Sequence, residues 1–170
     1  DAGIHEFTKT GRKSDKFGVS IETAKDLVKK CSKNSALNLL GLTCHIGSQI
    51  MELNAFEEAA SQALEILVEL EKLNINLDFI DMGGGLGVNY MNEETVQPIE
   101  LIHCYEKIFS GRKERLILEP GRSIAANAGI MLTKVEYKKN DFLVADAAMN
   151  DLLRPALYQA HHDVWPVKKN

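Results

Sequence analysis

The sequence predicts an α/β fold with parallel strands. Three observations predict it. Short apolar runs alternate with stretches whose apolar residues recur at helical spacing. Each of the three central runs ends in an unusual polar or glycine-rich loop, and those loops fall at nearly even intervals, at His45, Gly83 and Glu119. Strand, loop and helix in that repeating order imply parallel strands joined by right-handed crossovers. In open sheets and in (β/α)8 barrels alike, ligands gather at the carboxyl ends of the strands, so all three loops face one side. Periodicity leaves open sheet and barrel both open, since a full barrel takes ~250 residues.

The elements follow in order. Residues 1–16 are polar. Phe17, Gly18 and Val19 make a short strand candidate, and Ser20 can cap a helix. Ile21, Ala24, Leu27, Val28 and Cys31 give that helix its apolar spacing, and it is expected to end near Asn34. Residues 37–45 read as a strand, with Leu37, Leu39, Gly41, Thr43 and His45 on one face and Leu40, Leu42 and Cys44 on the other. The polar loop Ile46-Gly47-Ser48-Gln49 follows. Asn54 and Glu57 match a capping box, and Phe56, Ala60, Ala63, Leu64, Leu67, Leu70 and Leu73 predict a long amphipathic helix to about Lys72.

Residues 77–80 form a buried strand that runs into Asp81-Met82-Gly83-Gly84-Gly85-Leu86-Gly87. Pro98 suits the first turn of a further helix, with Ile99, Ile102, Tyr105 and Phe109 as its expected buried stripe and Gly111 as its stop. Residues 115–119 are a third strand, followed by Pro120-Gly121-Arg122-Ser123. Beyond it the rhythm changes. Residues 129–137 and 142–145 read as extended, and 150–159 as a loop with a helical turn around Pro155.

At 170 residues and 45% hydrophobic, the chain is one domain's worth of globular sequence. Its formal charge is −4, with a pI near 5.8. No basic run points to nucleic acid or an acidic membrane surface. Cys31, Cys44 and Cys104 are odd in number and widely spaced, which fits reduced thiols in a cytoplasmic protein better than a disulfide framework or a metal knuckle. No metal site is expected. No apolar run reaches the ~20 residues needed to span a bilayer. The chain opens at Asp1 without a clear element, and the expectation is a piece of a longer polypeptide.

Four glycines in five positions, at Gly83, Gly84, Gly85 and Gly87, remove β-carbons and allow close approach to the backbone. Such a loop at a strand's end offers N–H groups to an anion, most often a phosphate. It is not the Gly-x-Gly-x-x-Gly dinucleotide pattern, and a tight turn without a ligand is the plain alternative. Ser48 and the amides around Gly121 could share the phosphate. Glu119, at the end of its strand, could keep a ring nitrogen protonated. His45 could stack on an aromatic ring, and Arg122 offers a planar fork to a carboxylate. A phosphate, a nitrogen heterocycle and a carboxylate together describe pyridoxal phosphate with an amino acid.

Four segments carry a family resemblance: Gly-Leu-Thr-Cys-His-Ile-Gly-Ser-Gln-Ile at 41–50, Asp-Met-Gly-Gly-Gly-Leu-Gly-Val at 81–88, Glu-Pro-Gly-Arg-Ser-Ile-Ala-Ala-Asn-Ala-Gly at 119–129, and Met-Asn-Asp-Leu-Leu-Arg-Pro-Ala-Leu-Tyr at 149–158. In this order they resemble the diaminopimelate decarboxylases, and Thr10-Gly11 with Lys16-Phe17-Gly18 also fits. The last segment favours that family over the ornithine and arginine decarboxylases.

The resemblance implies a partial alanine-racemase-like (β/α)8 TIM-type barrel over residues 1–128. Residues 129–170 would connect into a carboxyl-terminal β-rich domain, and the whole protein would be a homodimer. It implies decarboxylation of meso-2,6-diaminopimelate to L-lysine with pyridoxal 5'-phosphate. His45 would lie against the cofactor ring and Glu119 at its nitrogen. Ser48, Gly83, Gly84, Gly85, Gly121 and Arg122 would line the phosphate end. Arg122, Arg154 and Tyr158 would bind the substrate.

Departures from the family pattern matter as well. No Tyr-Ala-x-Lys-type stretch carries a Schiff-base lysine; Tyr137-Lys138-Lys139 is not that motif. The acid-bearing segment and later tyrosine are also absent, and Ala147-Ala148 replaces the usual Ala-Gly. The 170 residues alone are therefore expected to be inactive. The alternative, from a different class, is a non-catalytic homologue that keeps the barrel as a binding or regulatory module. A decarboxylase for another basic amino acid is disfavoured by Arg154 and Tyr158, which suit a second carboxylate.

Other pairs read as structural. Cys44 and His45 are strand neighbours on opposite faces and cannot act as nucleophile and base. His103 and Cys104 are surface and core of one helix, Arg154 and Tyr158 could share a helical face, and His161-His162-Asp163 reads as a polar strand edge.

Overall fold

The computed structural model describes residues 17–168. Phe17, Gly18 and Val19 do not form the expected strand. Gly18 turns the chain at φ 72° into Ser20, and all three residues are exposed. The Ser20 hydroxyl accepts the Thr23 N–H at 3.2 Å and caps helix α1, Ile21–Cys31. Only Val28 of α1 is buried.

Three parallel strands form the central sheet in sequential order: β1 (Gly41–Thr43), β2 (Phe79–Asp81) and β3 (Arg115–Ile117). β1 and β3 stop two residues short of the predicted ends, where the ladder gives way to the site loops; β1 also starts at Gly41 rather than Leu37, and β2 starts at Phe79 and runs one residue past its predicted end, to Asp81. Thr43 pairs with Asp81, and Asp81 with Ile117. Leu42, Ile80 and Leu116 share one face and pack into the core beneath the helices. The opposite face carries Gly41, Phe79 and Arg115 in one row. A β-carbon on Gly41 would stand 2.5 Å from the Phe79 ring, so the glycine makes room for that ring.

Helix α2, Leu53–Lys72, crosses back over the sheet and buries Phe56, Ala60, Ala63, Leu67 and Leu70. The expected capping box at Asn54 and Glu57 is not formed. The helix starts two residues earlier, with Glu52 as an extended N-cap that makes no side-chain bond. The box occurs instead on α3, Pro98–Ile108. There the Gln97 side chain and the N3 N–H, and the Gln97 N–H and the Glu100 carboxylate, pair reciprocally. Pro98 opens that helix as predicted.

The buried stripe of α3 matches the expected one in part. Tyr105 is buried and Phe109 half-buried as expected, but Leu101 and Cys104 face the core in place of the expected Ile99 and Ile102, which are exposed. Both sets satisfy helical spacing around Tyr105. Its ring meets Phe56 edge-on, centroids 6.5 Å apart.

After β3 the chain makes a short helix, α4 (Arg122–Ala125). Next come an antiparallel hairpin of β4 (Val135–Lys139) with β5 (Phe142–Ala145), and α5 (Leu153–Tyr158). The hairpin is a separate two-stranded sheet, matching the extended segments expected there. Among the described residues no helix is long and apolar enough to cross a membrane.

Candidate active site

The ladder ends at Thr43, Asp81 and Ile117, and two residues further along each strand stand His45, Gly83 and Glu119. These three hold matching positions just past the ends of adjacent strands. The Cys44 N–H donates to the Asp81 carbonyl at 2.8 Å, and the Glu119 N–H to the Gly83 carbonyl at 2.8 Å, so the loops stay laced together past the strands. The spacing read from the sequence thus meets at one rim.

The glycines have a packing reason beside the one expected of them. A β-carbon on Gly83 would come within 2.5 Å of the Cys44 carbonyl and 3.0 Å of the His45 ring. On Gly84 it would stand 2.1 Å from the Glu119 carbonyl, and on Gly85 2.4 Å from the Gly47 carbonyl. Gly83 and Gly85 also adopt left-handed φ, 66° and 98°. Their bareness lets three loops close on one another, which brings His45 and Glu119 to the same turn. Asp81 fixes that turn: 6% exposed, its carboxylate accepts the Gly83 N–H at 2.8 Å.

The loop after β1 is held by a residue that no sequence pattern singles out. Gln49, at φ 61°, donates through its amide to the Val88 carbonyl at 2.6 Å and accepts the Val88 N–H at 3.2 Å. With the Ile50–Leu86 bridge, this pins residues 48–50 beside residues 85–88. Ser48 is thereby carried toward Arg122, whose Nη2 donates to the Ser48 hydroxyl at 3.0 Å. Arg122 is the first residue of α4, behind the N-cap Gly121. A β-carbon on Gly121 would meet nothing within 4 Å, so no packing demands that glycine.

The other residue missed by sequence reasoning is Tyr90. Its hydroxyl accepts from Nη1 of Arg122 and from Nη1 of Arg154, each at 3.1 Å. Arg154, on α5, also lies over the Tyr90 ring, 5.1 Å from its centroid. Tyr90 sits in irregular chain, where no periodicity marks it. The signal that could have found it was two nearby arginines with no acid to pair with. Among the described residues neither arginine has a carboxylate partner, and Arg122 Nε is buried without an acceptor.

Tyr158, on the same short helix as Arg154, is half-buried and has no hydrogen bond to this cluster. His162 is not on a strand edge as expected. It packs edge-on to Tyr90, centroids 6.2 Å apart, and its Nε2 is buried without a partner. Its neighbour His161 pairs with Asp163 at 2.8 Å. Cys44 turns inward toward Met82, and burial raises its thiol to about 11, which makes it a packing residue.

Two guanidinium groups without a carboxylate partner, an orphaned Nε and the uncrowded Gly121 beside it fit a phosphate-bearing cofactor and an acidic substrate.

Comparison with known proteins agrees. Residues 1–126 match the family described as pyridoxal-dependent decarboxylase, pyridoxal binding domain. Diaminopimelate decarboxylase of Pseudomonas fluorescens is 45% identical over 172 residues, covering 99% of this chain and 41% of that protein. The crystal structure of diaminopimelate decarboxylase from Helicobacter pylori complexed with L-lysine superposes with a TM-score of 0.92 at 39% identity, over 96% of this chain and 42% of that one. Lysine decarboxylase from Selenomonas ruminantium shares the fold, with a TM-score of 0.71 at 23% identity over 89% of this chain and 42% of that one. The chain thus spans about 41% of the length of the curated relatives it matches. With three loops meeting at one rim, and a family match over most of its length, this chain belongs to the pyridoxal-dependent decarboxylases, in their pyridoxal-binding domain.

Proposed function

We propose that this chain supplies the ring, phosphate and substrate-carboxylate contacts of a diaminopimelate decarboxylase, which converts meso-2,6-diaminopimelate to L-lysine and carbon dioxide. One observation carries the reading: His45, Gly83 and Glu119 share one row, and the Ser48–Arg122–Tyr90–Arg154 hydrogen-bond chain is laced to it through the paired loops. The relatives of that name at 37–45% identity support it.

In this reading the parallel sheet is an arc of an alanine-racemase-like (β/α)8 barrel over residues 1–128. The hairpin of β4 and β5 leads into a β-rich domain, and the whole protein is a cytoplasmic homodimer.

Pyridoxal phosphate, when bound, supplies a protonated pyridine ring that withdraws electrons from the substrate's α-carbon. His45 covers a face of that ring. Glu119, the carboxylate in its row, holds the proton on the ring nitrogen, because a nearby negative charge favours the protonated form. Ser48, Arg122 and the backbone of Gly84, Gly85 and Gly121 would hold the phosphate, with Gly83, whose N–H is taken by Asp81, shaping the turn beside it. Arg154 and Tyr158, with Arg122, orient the substrate through its distal carboxylate, which keeps the α-carboxylate free to leave.

The test is carbon dioxide release from diaminopimelate by the full-length protein. Release from wild type, falling by about 100-fold or more in Glu119→Gln, is the expected result. A wild type that releases none overturns the assignment and favours a binding module.

A further inference from the structure

Tyr90 lies between the glycine turn and α3, in none of the secondary-structure elements, yet two arginines from separate segments converge on it. Its ring is held on two sides, by the Arg154 guanidinium 5.1 Å from the centroid and by His162 edge-on at 6.2 Å. Burial, with Arg154 and His161 nearby, lowers the affinity of His162 for a proton, so the brace is an uncharged ring. Two guanidinium groups repel one another, and a neutral oxygen between them fixes their positions without cancelling their charge. An anion is what completes such an arrangement. A phenol oxygen that accepts two hydrogen bonds has used its acceptor capacity, while its single O–H proton remains to be donated.

Resting on the function proposed above, we propose that Tyr90 is a positioning residue for substrate recognition. It sets the separation of Arg122 and Arg154, and its O–H is the third donor to the distal carboxylate those arginines attract. A dicarboxylate substrate would therefore be distinguished from its monocarboxylate analogue by a neutral group as well as by two charges. Loss of a buried donor to a charged group costs discrimination steeply.

The test uses the full-length holoenzyme and the cofactor-free full-length protein. Tyr90→Phe keeps the ring, and with it the packing on His162 and Arg154, and removes only the hydroxyl. The expected result is a KM for diaminopimelate raised about 10- to 100-fold, with kcat falling by no more than about threefold. Calorimetry on the cofactor-free protein should show diaminopimelate binding weakened by a similar factor. Binding of L-lysine, which keeps the distal carboxylate, should weaken likewise, whereas binding of D-lysine, which carries only the carboxylate of the reacting end, should change by less than about threefold.

A KM and a calorimetric affinity both within about twofold of wild type overturn the proposal, and so does a loss carried entirely by kcat. Should Tyr90→Phe yield too little folded protein by thermal melting, Tyr90→Met, which also lacks the donor, is read by the same two measurements with the same expected losses. A wild type inactive on diaminopimelate fails the functional reading itself. An active wild type with an indifferent Tyr90→Phe fails only this one.

Discussion

The Glu119 N–H donates to the Gly83 carbonyl at 2.8 Å, although thirty-odd residues of loop and helix separate them in sequence. Everything at the rim depends on that closeness, and the residue between them in space is Gly84. A β-carbon there would stand 2.1 Å from the Glu119 carbonyl, against backbone that cannot swing aside. Gly84→Ala is expected to force the two loops apart and cost about 1–3 kcal/mol. Denaturant unfolding measures the cost. Weaker retention of the cofactor, read by its absorbance after dialysis, should accompany it.

Arg154 reaches the site from α5 and bonds Tyr90 at 3.1 Å. Its removal should act on substrate capture. In the full-length enzyme Arg154→Ala is expected to raise KM for diaminopimelate by about 10-fold or more, the loss of one charge-assisted contact. Steady-state kinetics check it, and an unchanged KM counts against the assignment.

The Cys44 thiol is raised from 9.0 to about 11, by burial first and by Asp81 second. The folded state therefore keeps a proton that the unfolded chain gives up between pH 9 and 11. Stability from this group is fully present below pH 9 and is lost as pH rises toward 11. The loss amounts to about 2–3 kcal/mol. Urea unfolding at a series of alkaline pH values should show the decline, and Cys44→Ala should flatten it.

Arg112 ties the end of α2 to the entry of β3. Its Nη1 meets Glu71 at 2.9 Å, and its Nε and Nη2 grip Glu114, whose side chain is 6% exposed. The bond from Arg112 holds the Glu114 carboxyl below the usual carboxylate range. Its contribution is thus present at neutral pH and is lost as the pH falls through the lowered value. Arg112→Ala leaves the Glu114 carboxylate buried with only backbone N–H groups, that of Lys113 among them, to answer it, and is expected to cost about 3 kcal/mol. Thermal melting at pH 7 and at pH 4 should show a smaller gap between variant and wild type in acid.

The sheet and the helices are legible in the sequence because their signals are periodic. The regular return of strand ends aligns His45 with Gly83 and Glu119. On α3 Ile102 and Leu101 both lie at helical spacing from Tyr105, so spacing alone cannot choose which of them turns to the core. The start of α2 departs from expectation because Asn54 and Glu57 match a cap pattern that the helix swallows. Tyr90 and Gln49 are invisible for another reason. Each acts through a partner dozens of residues away, Arg154 for one and Val88 for the other, and a pattern confined to neighbours in sequence does not record such pairs.

The sequential order of β1, β2 and β3 has a kinetic consequence. Each strand's neighbour is the next one to leave the ribosome, so no late segment must thread between two that have already paired. The rim closes in the order it is translated: His45 first, the glycine turn against it, then Glu119. Arg154 follows on α5, after all three strands of the rim.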